Sequence, residues 1–313
     1  MNENNPSTSP VSNLIFKGIL FSNLFAIVAF AIAYAITNWN EEIGGILSFS
    51  EFVLVPIGMG IIAMKFWIET KSRLLALFPY AILNTLIAIA LSALFMGEGI
   101  ICIIIVSPLV LVFMWIGILI GKYILPKNRT RLRASTLLLL ITLFVYDTFS
   151  EHHYINEVTD EMTINAPPER VWKYVAEHPA NTSASDYWLF KAGLPSPIQS
   201  IVTGDTVGSE RKCIFSNGAT FDELVVESEH AKRYTFDIYK QPHDPEIIGH
   251  IEILRGQFIL EGNADGTTRL VGKSWYRLKV YPVWYYDIWA EDITREVHLR
   301  VMEHIRILAE NDV

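Results

Sequence analysis

Four long apolar runs constrain this chain more than any other feature. They cover residues 14–37, 49–68, 74–96 and 100–124. A helix needs about 20 apolar residues to cross the hydrocarbon core of a bilayer. Because each run reaches that length, the sequence predicts a membrane α-helical bundle between residues 14 and 150.

A fifth apolar run, residues 132–149, is shorter and leaves the number of spans at four or five. Its central letters, ASTLLLLITLFV, hold no charge, and this favours a fifth span. An interfacial or linker helix is the alternative. Residues 1–13 are polar and predict a disordered tail. Since no basic segment and cleavage site open the chain, we expect the first run to be a retained span.

Basic residues alternate between the ends of these runs. Lys17 opens the first run, and the next loop, 38–48, has no Lys or Arg. The second connection contains Lys71 and Arg73. The third contains Glu98 and no Lys or Arg, and the fourth, within residues 122–133, is again basic. Positive loops stay in the cytoplasm, so we expect a cytoplasmic N-terminus. Five spans place the C-terminal domain outside the cytoplasm, and four place it inside.

The polar residue Asn84 lies well inside the third run. An amide in hydrocarbon is stabilised by a partner on a neighbouring helix. We therefore expect Asn84 to form a hydrogen bond between helices.

Charge separates the second half of the chain from the first. Residues 1–150 carry 9 Lys/Arg against 7 Asp/Glu, and residues 151–313 carry 16 against 26. Nucleic-acid binding needs a basic surface, so the acidic half excludes a nucleic-acid partner. The chain has 2 cysteines, Cys102 and Cys213, and no CxxC pair. His152 and His153 are adjacent but lack a third ligand, so no metal is expected.

Nucleotide and serine-hydrolase motifs are missing from the sequence. It contains no GxGxxG, GxxxxGK[ST] or GxSxG pattern. These patterns carry dinucleotide, phosphate and nucleophile-elbow chemistry. We therefore expect no cofactor.

The stretch EMTINAPPERVWKYVAEHP, residues 161–179, opens the soluble part after a linker at 151–157. Alternation of Met162 and Ile164 with polar residues predicts a strand. Pro168 suits the first turn of a helix, and Val171, Trp172 and Val175 follow at helical spacing. An irregular connection with a short second helix is expected over 181–201.

Five further strands and a long helix are predicted beyond this connection. The strands cover 210–216, 220–228, 232–239, 249–261 and 268–281, and Asn217-Gly218 is a favoured hairpin turn. An apolar stripe at helical spacing, which includes Ile293, Val301 and Ile305, predicts a helix over 284–309.

The PPERVW opening, together with this order of strands and helices, resembles the START-like superfamily, also called the SRPBCC or polyketide cyclase/dehydrase and lipid-transport group. The resemblance implies an α+β helix-grip domain over 158–313, in which a curved antiparallel sheet wraps round a long C-terminal helix. The segment SWYRLKVYPVWYYDIW resembles a bacterial branch that fuses this domain to membrane spans. It implies a bacterial inner-membrane protein.

The helix-grip resemblance implies a ligand pocket between the sheet and the last helix. Ten candidates for lining it are Phe221, Phe236, Phe258, Tyr276, Tyr281, Trp284, Tyr285, Trp289, His298 and Met302. The segment 281–289 is dense in aromatic rings. It is interpreted as a pocket mouth, as a belt against the membrane surface, or as a packed corner between strand and helix.

Acid–base candidates are few. They are His298, Glu291 and Tyr276. The alternative is that His298 is a core histidine and that Glu291 forms a surface pair with Arg295 at helical spacing.

The leading hypothesis is a membrane-anchored binding protein for a hydrophobic small molecule or lipid, with the bilayer as its other partner. A cyclase or hydratase that uses the same pocket, and a structural or partner-binding protein with a filled core, are the alternatives.

Overall fold

The computed structural model describes residues 10–39, 50–96, 99–125, 142, 154–181, 183–247 and 250–312. The chain divides into two compact units, Met1–Glu151 and His152–Val313. The sequence predicts a linker over 151–157. Residues 154–157 already belong to a strand, because they pair with residues 275–278.

Long helices form the first unit. They are α1 (Pro10–Trp39), α2 (Val55–Trp67), α3 (Phe78–Met96) and α4 (Ile100–Ile124). A π-helical turn, Ser50–Leu54, precedes α2, and 3-10 turns at Ile68–Thr70 and Leu74–Leu77 follow it. Within the described residues, four segments are long and apolar enough to cross a membrane, namely Pro10–Ile32, Ser50–Thr70, Leu74–Leu94 and Ile100–Ile124.

Helix α1 begins earlier than the sequence predicts. The polar tail expected over 1–13 is helical from Pro10, since proline is tolerated in the first helical turn, where its missing N–H needs no partner. Along α1, a row of exposed apolar side chains recurs every four residues: Phe16, Leu20, Leu24, Val28 and Ile32. Such a row is unfavourable in water and favourable against lipid.

Glycines bring α2 and α4 close together. A Cβ atom at Gly117 would lie 2.2 Å from the carbonyl oxygen of Ile57, and one at Gly60 would lie 2.2 Å from that of Met114. Small residues of this kind let membrane helices pack backbone against backbone. The pair therefore fixes the α2–α4 contact.

Asn84 forms the expected hydrogen bonds between helices. Its Nδ2 donates to Ser22 Oγ of α1 at 3.0 Å, and its Oδ1 accepts from Asn23 Nδ2 at 2.6 Å. Asn84 and Ser22 are fully buried. The prediction of an interhelical amide is confirmed.

The fifth apolar run, residues 132–149, lies outside the described residues except for Thr142, as do His152 and His153. A fifth span and the orientation of the chain therefore stay predictions.

Seven strands and three helices are described in the second unit. The strands are β1 (Tyr154–Ile164), β2 (Pro197–Val202), β3 (Glu210–Phe215), β4 (Thr220–Glu229), β5 (Arg233–Lys240), β6 (Ile251–Gly262) and β7 (Thr268–Leu278). The helices are α5 (Pro168–Ala176), α6 (Trp188–Ala192) and α7 (Val283–Asn311).

All the strands join one curled antiparallel sheet in the order β1-β7-β6-β5-β4-β3-β2. Helix α7 packs closest to β1 and β7 at one edge, to β2 at the other, and to α5. This arrangement is the predicted helix-grip fold, and the α+β assignment is confirmed.

Strand β2 is absent from the sequence prediction, which left 181–201 as an irregular connection. Pro195 and Pro197 conceal it, because proline lacks the N–H that a central strand needs. β2 tolerates Pro197 since it is an edge strand and starts at that residue. The short helix expected in this connection is α6.

The core of the unit lies where α5 and α7 meet the sheet. Val171, Trp172 and Val175 of α5 are buried there beside Met302 and Ile305 of α7. The ring of Trp172 meets that of Tyr234 edge to face, with centroids 5.6 Å apart. Trp172 thus joins the helical opening of the unit to the middle of its sheet.

Candidate functional site

The inner face of the sheet is apolar and rich in aromatic rings. Strands β3 to β6 contribute Cys213, Phe215, Phe221, Val225, Tyr234, Phe236, Ile238, Ile253 and Phe258 to it, as the strand register shows. The backbone of α7 lies nearer to β1, β7 and β2 than to β3–β6. Side chains still bridge this distance, since Tyr234, Phe236 and Phe258 share a buried cluster with Met302 and Ile305 of α7.

Several residues on this inner face are only partly buried. Cys213, Phe215, Ile238 and Ile253 are half-buried, whereas the neighbouring Phe221 is 6% exposed. Burial raises the pKa of the Cys213 thiol to about 12, and nearby Glu223 adds to the shift. Cys213 is thus a partly buried thiol on the inner face that stays protonated at neutral pH.

A buried ion pair lies on the same inner face. Arg211 of β3 pairs with Glu223 of β4, and both side chains are buried. Arg211 also donates from Nε to the Ala176 carbonyl oxygen at 3.1 Å, and its guanidinium lies 4.4 Å from the ring centroid of Phe236. Burial acts to lower the pKa of Arg211, but the Glu223 carboxylate outweighs it and raises that pKa.

Aromatic rings from α6 and the start of α7 meet one another. The ring of Trp289 lies 6.4 Å from that of Trp188 and 6.5 Å from that of Tyr285, measured between centroids. Tyr281 is half-buried, and Trp284 is 66% exposed. Of this predicted group, Trp284 alone projects into the surroundings.

Tyr276 is fully buried, and its hydroxyl group is fully engaged. It donates to Asp287 Oδ1 at 2.6 Å and accepts from Asn156 Nδ2 at 3.2 Å. Tyr154 donates to Asp287 Oδ2 at 3.0 Å. Burial, followed by the hydrogen bond to Asp287, raises the pKa of Tyr276. The phenol therefore stays protonated and ties β7 to α7.

His298 lies between a carboxylate and a hydroxyl group. Its Nδ1 is 2.9 Å from Asp160 Oδ2, and its Nε2 is 2.7 Å from Ser274 Oγ. Burial alone would raise the pKa of Asp160, but hydrogen bonds from His298 and Arg295 hold it below its usual range. Three elements, β1, β7 and α7, thus join one hydrogen-bonded chain.

Glu291 lies outside this chain. Its carboxylate accepts from Arg295 at 3.1 Å, at helical i,i+4 spacing, and both side chains are about half exposed. The arrangement is the surface pair that the sequence offered as an alternative.

The predicted site residues divide into three groups. Phe221, Phe236 and Phe258 share the inner face of the sheet. His298 and Met302 face β7 from α7, with the Met302 sulfur 3.0 Å from where Gly272 would carry a Cβ, and Tyr276 lies on β7 itself. Tyr281, Trp284, Tyr285 and Trp289 cluster where α7 begins.

Sequence reasoning missed Ser274, Asp160, Cys213 and the Arg211–Glu223 pair. The alternation of β7 carries a signal for Ser274, since residues two apart share a face and Tyr276 was already assigned inward. No local pattern identifies Asp160, which acquires its role by contact across 138 positions of sequence.

A surface cavity of about 570 Å³ lies between the start of α5, the β4–β5 turn and the end of β6. Charged residues of the strand turns and of α5 line much of it, including Glu169, Lys232 and Glu261. Within the described residues, no group of three or more His, Cys, Asp or Glu side chains is placed to hold a metal.

Comparisons with known proteins yield structural likeness only. No family model and no curated protein matches the chain. Similar solved structures include a truncated norcoclaurine synthase from Thalictrum flavum, with 11% identity over 52% of this chain and 99% of that one, at a TM-score of 0.37. The same enzyme in complex with dopamine and hydroxybenzaldehyde has 12% identity over 51% of this chain and 90% of that one, at a TM-score of 0.35.

A protein from Nitrosospira multiformis gives 16% identity over 49% of this chain and 94% of that one, at a TM-score of 0.34. The fold rests on the strand order and the packing of α7 in this chain. Membership of the START-like superfamily stays a prediction.

Proposed function

We propose that this protein is a membrane-anchored binding protein for a hydrophobic small molecule or lipid, which it holds between the inner face of the sheet and α7. The observation that carries the proposal is the accessible apolar surface of Cys213, Phe215, Ile238 and Ile253 on a face that points inward. Apolar surface of this kind gains about 25 cal/mol per Å² when a ligand removes it from water.

The polar groups around the proposed ligand space favour an apolar ligand. Arg211 and Glu223 satisfy each other, and the Tyr276 hydroxyl is committed to Asp287. A strongly polar ligand would have to break these buried contacts, which is costly. The site would therefore stabilise a ligand mainly by burying its apolar surface, and it offers few hydrogen bonds.

The four apolar segments of the first unit support membrane anchoring. We further propose a fifth span at residues 132–149, a cytoplasmic N-terminus and a C-terminal unit outside the cytoplasm of a bacterial inner membrane. The alternation of basic loops supports this orientation.

The test is uptake of the apolar fluorophore N-phenylnaphthylamine by the full chain in lipid nanodiscs, with empty nanodiscs subtracted. Ile238→Trp fills the inner face, and we expect it to weaken probe binding about tenfold or more, a change of about 1.4 kcal/mol. Tyr239→Trp is the matched control, because Tyr239 is the next residue on β5 and is 57% exposed. Equal binding by both variants and the parent would contradict the proposal.

A further inference from the structure

The hydrogen-bonded chain of Ser274, His298 and Asp160 has the geometry of an activated nucleophile. Ser274 Oγ lies 2.7 Å from His298 Nε2, and His298 Nδ1 lies 2.9 Å from Asp160 Oδ2. We propose that Ser274 is a catalytic nucleophile and His298 its general base, with Asp160 as a positioning residue, and that the reaction is acyl transfer from an apolar carboxylic ester to water.

The proton positions follow from the partners. Asp160 also accepts from Arg295 Nε at 3.0 Å, so its carboxylate is held as an acceptor. It therefore takes the Nδ1–H of His298, which leaves the Nε2 lone pair directed at the Ser274 hydroxyl. A base that is itself oriented by a third group is the arrangement that activates a serine.

Burial favours this chemistry over a surface hydrogen bond. The side chains of His298 and Asp160 are 7% and 10% exposed, so water competes little for their contacts. Ser274 is half-buried and faces inward, opposite Gly256. The Phe236 ring occupies the space that a Cβ of Gly256 would need, which places an apolar wall beside the hydroxyl.

The reaction balances with water as the only co-reactant. Ser274 Oγ bonds to the ester carbonyl carbon as its proton passes to His298 Nε2. The carbon–oxygen bond to the alcohol then breaks, and the alcohol leaves with that proton. Water attacks the acyl-serine, gives one proton to His298, and releases the carboxylic acid as Ser274 regains its proton.

The backbone around Ser274 determines how fast the proposed acyl transfer should be. Strand β7 pairs with β1 on one side and β6 on the other, so N–H groups of a central strand point along the sheet and not towards an oxyanion on its inner face. Removing one oxyanion-hole donor slows a serine protease about 10²- to 10³-fold. A strongly reactive probe is therefore the appropriate test.

The experiment treats the full chain in detergent with an alkyl fluorophosphonate, which serine attacks with loss of fluoride, and locates the label by mass spectrometry. We expect labelling of Ser274, none in Ser274→Ala, and about 100-fold or more slower labelling in His298→Asn. His304→Asn is the matched control on the same helix, because His304 is half-buried and its Nε2 lies 2.9 Å from the Pro179 carbonyl oxygen, away from Ser274. It should label like the parent.

Asp160→Asn gives a readout that separates positioning from folding. Its maximal labelling rate should fall, while the probe concentration at half-maximal rate stays unchanged. A variant that had lost its structure would shift both. No label on Ser274 in the folded parent, or equal rates in His298→Asn, would overturn the proposal. Because Ser274 labelling and N-phenylnaphthylamine uptake are separate measurements, either proposal can fail alone.

Discussion

His178 shows how burial in the second unit determines the charge of a single residue. It follows α5 and is 2% exposed, and its Nδ1–H donates a long hydrogen bond of 3.3 Å to the Pro179 carbonyl oxygen. Burial, followed by the positive charge of Arg211, lowers its pKa to about 3. The imidazole is therefore neutral in the folded protein at neutral pH.

Stability should fall on acidification because of His178. Between pH 6.5 and about 3 the unfolded chain binds a proton there that the folded chain does not, so this residue favours unfolding by about 1.4 kcal/mol per pH unit in that window. Above pH 6.5 it has no effect. Thermal unfolding of the parent and of His178→Asn, measured from pH 7 to pH 4, tests this. The variant should lose the histidine's share of the slope, and parallel curves would contradict the assignment.

Among the elements, β3, β4 and α5 are joined by the buried Arg211–Glu223 pair. Arg211 contacts Glu223, the Ala176 carbonyl oxygen at the end of α5, and the Phe236 ring. A buried charge that loses its partner is far more costly than the loss of the whole pair. The contact therefore acts as a coupled unit between sheet and helix.

Single replacements should thus destabilise more than the double replacement. Arg211→Met or Glu223→Leu alone should lower the free energy of unfolding by about 3–5 kcal/mol, because each leaves one buried charge unpaired. The double variant should recover much of that loss. Urea unfolding of the full chain, followed by tryptophan fluorescence, measures the cycle. Additive losses in the double variant would show that the two side chains act independently.

The elements differ in how well local sequence predicts them. Strands β3 to β7 and α7 follow from period-2 and period-3.6 patterns, because each buries one face. β2 is hidden by Pro195 and Pro197, whose effect depends on whether the strand lies at an edge. The inward aromatic residues Phe221, Phe236 and Phe258 follow from alternation. The Ser274–His298–Asp160 contact does not, since it joins three elements far apart in sequence.

The whole molecule combines four described membrane-length helices with a unit that needs water on its outer surface. The first unit exposes rows of apolar side chains, as along α1, whereas the second carries ion pairs such as Arg269 with Glu161 and Glu261 on the outer face of its sheet. Lipid satisfies the first surface and water the second. The compartment of the second unit therefore sets which water-soluble molecules can reach it.

The number of spans decides that compartment. With residues 132–149 as a fifth span, alkaline phosphatase fused after Val313 should be active, since this enzyme folds only outside the cytoplasm. Deletion of 132–149 should leave four spans, and the phosphatase should then stay in the cytoplasm and be inactive. The reason is that the basic residues just before the deletion hold this side of the chain in the cytoplasm. A fusion after Ile124 is the control and should be inactive. If the full-length fusion is inactive while a green fluorescent protein fusion at Val313 is bright, the chain has four spans and the second unit lies in the cytoplasm.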